Sequence, residues 1–121
     1  MNDTTVVNMK GHLHDTAWRE DVLYVGRRMA RGGWNLPASP WRNPFPVLPE
    51  PPEAREIAVR AYHDHLLHTP QLLADLPQLR ERTLGCWCAP RLCHAHVLAA
   101  LADHPRWTTL TWPRLRPRLP L

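Results

Sequence analysis

Four side chains that can bind metals or act as nucleophiles lie close together near the C-terminal end of the sequence. They are Cys86, Cys88, Cys93 and His94, and they include every cysteine of the chain. Because side chains alternate along a strand, a strand ending here would place Cys86 and Cys88 on the same face. A helix beginning at Cys93 would place His94 on one stripe with Val97. A strand, a turn and a helix can therefore bring three thiols and one imidazole to one place.

This cluster predicts a zinc site. Zinc prefers tetrahedral sets of thiolate and imidazole ligands, and three cysteines with one histidine form a known structural set. We expect Cys86, Cys88, Cys93 and His94 to be the ligands, with His96 as the alternative to His94. The Cys-x-Cys and adjacent Cys-His spacings differ from those of the usual zinc knuckles, so two other interpretations stay open.

The first alternative is a thiol-dependent enzyme that acts on a nucleotide-like substrate. A cysteine at a helix N-terminus is stabilised as the thiolate, which favours Cys93, and Cys88 is the other candidate nucleophile. His94 would be the catalytic base. The second alternative is structural, because free cysteines are small core residues and His94 can be a buried histidine with a hydrogen-bond partner. The sequence does not decide whether the chain is an enzyme.

Charge divides the 121 residues into two parts. Residues 1–104 hold as many acidic as basic side chains, and four arginines in residues 105–121 supply the whole net charge of +4. We expect a single domain over 1–104 and a basic, Pro/Arg-rich extension over 105–121. This extension is either an extended arm or a segment whose Trp107 and Trp112 dock on the body or on a partner. Basic segments bind acidic partners and phosphate backbones. A third functional alternative is therefore an accessory protein that binds its partner through this tail.

The hydropathy pattern gives no sign of a membrane protein. The longest run without a charged residue, 92–102, is far shorter than the roughly 20 residues of a membrane-spanning helix. The N-terminus lacks the basic start and apolar stretch of a secretory signal. Three cysteines also do not suggest the disulfide framework of a secreted domain. We expect a cytoplasmic protein with no membrane partner.

The periodicity of the apolar residues predicts a small single-domain α/β fold with a short sheet flanked by helices. The predicted order is β-β-loop-α-α-β-α, with a loop also over 12–20 and a long irregular excursion over 31–52. The predicted strands are 5–9, 22–25 and 83–88, and the predicted helices begin near 53, 71 and 93.

Two short segments predict a ligand site. Gly26 and Arg27 follow a strand, where glycine permits close backbone approach and the arginine fork matches a phosphate. Trp41 and Asn43 join an aromatic ring to an amide in a rigid loop, and the ring can stack on a base. We therefore expect a nucleotide or nucleic-acid ligand in contact with Gly26, Arg27, Trp41 and Asn43.

Three motifs in this order resemble the domain-of-unknown-function 4326 family, which consists of small proteins common in phages and bacteria. The motifs are Tyr24-Val25-Gly26-Arg27, Trp41-Arg42-Asn43-Pro44-Phe45 and Gly85-Cys86-Trp87-Cys88 followed by Cys93-His94. The resemblance covers residues 5–103 and implies no particular activity. Arg42 stands where the family usually has Gly, and Ala95-His96 stands where it commonly has Gly-Asp, which removes a carboxylate.

Overall fold

Three short parallel strands form the centre of the protein in a computed structural model that describes residues 3–120. The strands are β1 (Thr5–Asn8), β2 (Val22–Tyr24) and β3 (Thr83–Cys86), and their order in the sheet is β1-β3-β2. Thr83 of β3 is in register with Thr5 of β1 and with Val22 of β2. The mixed α/β fold predicted from the sequence is confirmed.

The central strand β3 is apolar because it has neighbours on both edges and helices packed nearby. Its residues Leu84, Gly85 and Cys86 are buried, as expected for a strand inside a parallel sheet. A side chain at Gly85 would overlap Met9 and Val22, so this position requires glycine. β3 ends at Cys86, two residues earlier than predicted.

Helices cover the sheet and account for most of the core. They are α1 (Thr16–Glu20), α2 (Ala54–Leu67), α3 (Pro70–Asp75), which runs into a 3₁₀ turn (Leu76–Leu79), and α4 (His94–Asp103). α4 packs against β1, β3 and α2, and Leu98 and Leu101 on its inner face are fully buried with Tyr62 and Leu66 of α2. None of the helices within residues 3–120 is long and apolar enough to cross a membrane.

The predicted loop over 12–20 contains a helix. Asp15 accepts a hydrogen bond from the backbone N–H of Trp18 through its side chain, which caps α1 at its N-terminus. The predicted loop was wrong because the short, polar segment has no apolar periodicity. The cap and the packing of α1 against β2 accompany the helix.

The C-terminal segment is folded, so the predicted extended arm was wrong. It forms a 3₁₀ turn (Pro105–Thr109), the short helix α5 (Trp112–Leu115) and a second 3₁₀ turn (Arg116–Arg118). Trp112, Leu115 and Leu119 are buried in the core. Arg116 Nε lies 2.6 Å from Glu56 Oε1 of α2. Each of these elements has a proline as its first or second residue, where the missing N–H would have no intrahelical partner.

We predict that this segment contributes to stability. Leu115→Ala removes a fully buried side chain and should lower the free energy of unfolding by about 2–5 kcal/mol. Leu48→Ala is the matched control, because Leu48 is 57% exposed and should cost less than about 0.5 kcal/mol. Urea unfolding followed by tryptophan fluorescence measures both; equal, small losses would contradict a docked segment.

Candidate functional site

A cavity of 440 Å³ opens at the edge of the sheet where β2 and β3 end. The carboxyl ends of parallel strands meet at one edge, which is where ligands bind in open α/β sheets. The cavity is lined by Tyr24, Gly26, Arg27, Arg28, Met29, Ala30 and Arg31 after β2, by Asn43, Phe45, Pro46, Val47, Arg55 and Val59 from the long loop and α2, and by Cys86, Trp87, Cys88, Leu92, Cys93 and His94.

The loop after β2 is fastened to the segment after β3 by aromatic side chains. Trp87 Nε1 donates a 2.8 Å hydrogen bond to the Tyr24 hydroxyl, which in turn donates to the carbonyl of Arg27. The Tyr24 ring lies directly against Gly26, so a side chain at Gly26 would overlap it. Glycine is needed here for close packing, which places Arg27 at the cavity.

Asn43 holds Arg27 in place. Its side-chain amide donates to the carbonyl of Ala58 at 3.1 Å and accepts from the backbone N–H of Phe45 at 2.9 Å. Its own carbonyl accepts from Arg27 Nε at 2.9 Å. Asn43 therefore lines the cavity as expected, but its side chain fastens the loop to α2 and its backbone orients the arginine.

Trp41 is the one sequence-predicted ligand residue that does not line the cavity. Its side chain is buried in the core, and its carbonyl accepts a 2.8 Å hydrogen bond from the hydroxyl of Tyr62. The irregular loop has no periodicity from which the direction of this ring could be inferred.

The turn after β3 brings the three thiols together. Asn8 at the end of β1 donates to the carbonyls of Trp87 at 3.3 Å and Ala89 at 2.9 Å, and the N–H of Arg91 donates to the carbonyl of Cys88 at 2.9 Å. The chain thus reverses direction, and Cys93, the N-cap residue of α4, returns to the end of β3. The structure thus places Cys86, Cys88 and Cys93 on the wall of the same cavity.

The thiols differ in their affinity for a proton. Side-chain hydrogen-bonding contacts with Cys86 and Cys88, together with burial, raise the pKa of the Cys93 thiol far above its ordinary value. The Cys93 hydrogen bond lowers the pKa of Cys88 to about 5; burial opposes this shift, and Arg55 and Arg91 add to it. Of the three thiols, Cys88 therefore loses its proton most readily.

Cys86 shares the proton of Cys93 but is less acidic than Cys88. The hydrogen bond from Cys93 lowers the pKa of Cys86 to about 7, against the effect of burial. The backbone N–H groups of Cys88 and Ala89 also donate to its sulfur. Its side chain is enclosed by these donors and is only 1% exposed.

His94, rather than His96, adjoins the thiols. Burial lowers the pKa of His94 to about 4, so the ring is neutral, and Nε2 donates to the carbonyl of Val25 at 2.7 Å. Nδ1 is then an acceptor, and it lies 3.4 Å from Cys93 Sγ. His96 Nδ1 accepts from the backbone N–H of Cys93 at 3.0 Å, which turns it to the backbone.

The cluster does not have the arrangement of a ready-made metal site. Within residues 3–120, no group of three or more His, Cys, Asp or Glu side chains is placed so that it could hold a metal ion. In its present geometry the site places the acidic thiol of Cys88, the buried thiol of Cys93 and the imidazole acceptor of His94 beside a cavity. This cavity is also lined by Arg27, Arg28, Arg31 and Arg55.

Sequence reasoning missed Arg55, which enters the site from α2. It donates to the carbonyl of Leu92 at 3.2 Å and to the sulfur of Cys88. A signal was present, because Arg55 lies in the first turn of a helix, where the positive end of the helix dipole disfavours a cation. An arginine in that position indicates a partner elsewhere, which here is the thiolate.

The acidity of Cys88 predicts an unusual pH profile of alkylation. Iodoacetamide reacts with thiolates, so labelling of Cys88 should stay nearly constant from pH 8 to pH 6 and fall only near pH 5. An ordinary thiol loses roughly a hundredfold in rate over the same two pH units. Arg55→Gln should move the midpoint upward, whereas Cys86→Ser should leave it low. A wild-type midpoint above pH 8 would contradict the assignment.

Comparisons with known proteins match the part of the chain that forms the cavity. The model of the family described as "Domain of unknown function (DUF4326)" matches residues 7–104, which contain every lining residue of the cavity. The uncharacterized protein R718 of Acanthamoeba polyphaga mimivirus is 36% identical over 88 residues, which are 73% of this chain and 65% of that protein.

The chain thus spans just under two thirds of the length of this viral relative. No solved structure matches the chain significantly. The family match extends over most of the sequence and includes the three motifs that build the cavity. The chain belongs to the domain-of-unknown-function 4326 family.

Proposed function

We propose that the chain binds a phosphate-bearing, nucleotide-like ligand in the cavity at the carboxyl edge of the sheet. One observation carries this proposal, the charge of the cavity wall. The lining includes Arg27, Arg28, Arg31 and Arg55, and within residues 3–120 no Asp or Glu belongs to it. Such a wall attracts anions, and guanidinium groups form paired hydrogen bonds with phosphate oxygens.

Two of these arginines are pre-positioned. Arg27 is held through Nε by the carbonyl of Asn43, and Arg55 through Nη1 by the carbonyl of Leu92. A guanidinium has five donors in a fixed fork, so one such anchor leaves further donors for a ligand. Because their geometry is fixed before binding, less conformational entropy is lost when the anion arrives.

The rest of the cavity suits the other parts of a nucleotide. Its volume of 440 Å³ is within the usual range of small-molecule sites. Phe45, 40% exposed at the wall, and Trp87 offer aromatic surface for a base. The Cys88 thiolate belongs to the same wall, so a bound ligand would lie beside a nucleophile.

This proposal predicts binding that depends on the phosphate. Adenosine 5′-monophosphate should quench the tryptophan fluorescence of the protein saturably, adenosine should not, and inorganic phosphate should compete. Arg27→Gln and Arg55→Gln should each weaken binding at least about tenfold, since each removes a charged hydrogen bond.

Arg80→Gln is the matched control, because Arg80 is exposed and lies outside the cavity lining. It should leave the affinity unchanged within about twofold, which is the range of ordinary surface substitutions. Equal binding of adenosine and its monophosphate, or equal losses in all three arginine variants, would refute a phosphate site in this cavity.

A zinc site is the second candidate function, with Cys86, Cys88, Cys93 and His94 as ligands. It is supported by the contacts of Cys93 with both other thiols and by the acceptor Nδ1 of His94, 3.4 Å from Cys93 Sγ. The hydrogen bond of Nε2 to a carbonyl is the outer-shell contact that metal-binding histidines commonly make. Binding would require the four donors to draw closer together.

The zinc candidate predicts about one zinc per chain in untagged protein, measured by mass spectrometry, and its loss in both Cys86→Ser and Cys93→Ser. His96→Ala should keep the metal, because His96 faces the backbone of Cys93. Folded wild-type protein without zinc after purification in zinc-supplemented buffer would eliminate this candidate.

A further inference from the structure

The three cysteines differ in how solvent reaches them. Cys86 and Cys93 are 1% and 2% exposed, whereas Cys88 is only half-buried and lines the open cavity. All three are free thiols. A small oxidant that enters the cavity therefore meets Cys88 first, with the cationic side chains of Arg55 and Arg91 next to its sulfur.

The contacts among the sulfurs are also unequal. Cys93 contacts both Cys88 and Cys86, but the sulfur of Cys86 also accepts from the backbone N–H groups of Cys88 and Ala89. Cys88 and Cys93 belong to different segments, the turn after β3 and the N-cap of α4. Both side chains line the same cavity.

We propose that Cys88 and Cys93 form a reversible disulfide pair that hydroperoxides oxidise, with Cys88 as the attacked thiol and Cys93 as the resolving thiol. The proposal applies to the metal-free chain and does not depend on the nucleotide-like ligand. It assigns a modification site to two cysteines that line the cavity.

The oxidation proceeds in two steps. In the first, the Cys88 sulfur attacks one peroxide oxygen; an S–O bond forms, the O–O bond breaks, and the departing alkoxide or hydroxide takes a proton from solvent. Cys88 is then a sulfenic acid. In the second step the Cys93 sulfur attacks Cys88, an S–S bond forms, and the S–O bond breaks. The hydroxide leaves with the Cys93 proton as water.

The first experiment uses the full wild-type chain, dialysed against a chelator and checked for metal content. Hydrogen peroxide is added in equimolar amount, free thiols are blocked with N-ethylmaleimide, and the protein is digested with trypsin without reduction. Cleavage after arginine yields peptides 83–91 and 92–106, which contain Cys86 with Cys88 and Cys93 respectively. We expect these peptides to be linked, with the maleimide on Cys86 and full reversal by dithiothreitol.

Replacing each cysteine in turn by serine separates the roles of the three thiols. Cys86→Ser should form the disulfide at a rate within about twofold of wild type, whereas Cys88→Ser should consume peroxide at least about tenfold more slowly. Cys93→Ser should stop at the sulfenic acid of Cys88, which dimedone traps. Circular dichroism tests whether each variant is folded. The peptide map of the wild-type protein identifies the disulfide even if a variant does not fold.

Several outcomes would overturn the proposal. A disulfide between Cys86 and Cys93, with the maleimide on Cys88, would show that the proposed pair is wrong. Oxidation of Cys88 directly to the sulfinic acid would exclude Cys93 as the resolving thiol. If zinc stays bound after dialysis against the chelator and all three thiols resist peroxide, the cluster is a metal site and not a redox pair. Failure of adenosine 5′-monophosphate to bind would leave the disulfide result unaffected.

Discussion

The hydrogen bond from His94 Nε2 to the carbonyl of Val25 joins two segments that are 69 residues apart. Both groups are buried, so breaking the bond would leave a donor and an acceptor unsatisfied in the core. It fixes the start of α4 against the end of β2. As a result, the loop that carries Gly26 and Arg27 lies beside Cys93, and one cavity contains both the arginines and the thiols.

The same bond determines where the protons of the cluster reside. Because Nε2 carries the proton of a neutral ring, Nδ1 faces Cys93 as an acceptor. Contacts within the cluster raise the pKa of Cys93 and lower that of Cys88, and Arg55 and Arg91 also favour the ionised form of Cys88. The most acidic thiol thus lies at the solvent-accessible end of the cluster, and Cys93 and His94 lie in its interior.

The convergence of the thiols could be predicted from the sequence because it is local. A strand, a four-residue turn and a helix allow few arrangements, and the loop after β2 follows the general rule for parallel strands. The strand order β1-β3-β2 and the arrival of Arg55 depend on contacts between distant segments, which periodicity does not encode. The packing of Trp41 was missed because its loop has no regular pattern.

The folded C-terminal segment, in contrast, carried a signal. Trp112, Leu115 and Leu119 recur at the spacing of one helix face. Pro113 and Pro117 obscured this pattern, since proline normally interrupts a helix; here each stands at the start of a turn, where it is tolerated. At least one arginine of this segment binds the rest of the protein, because Arg116 contacts Glu56 of α2. The net charge of the segment therefore did not indicate whether it is extended or folded.

The two departures from the family pattern preserve the architecture of the site. Arg42 has an ordinary negative φ, its side chain is exposed, and it donates to the carbonyl of Ser39 at 3.0 Å, so this position does not require glycine. His96 is the third residue of α4, and its Nδ1 accepts the backbone N–H of Cys93, the N-cap residue. A carboxylate at that position can accept the same bond, as in a capping box. What the position requires is therefore an acceptor for the helix N-terminus, which a neutral imidazole supplies equally well, and the thiol cluster keeps its geometry without the carboxylate.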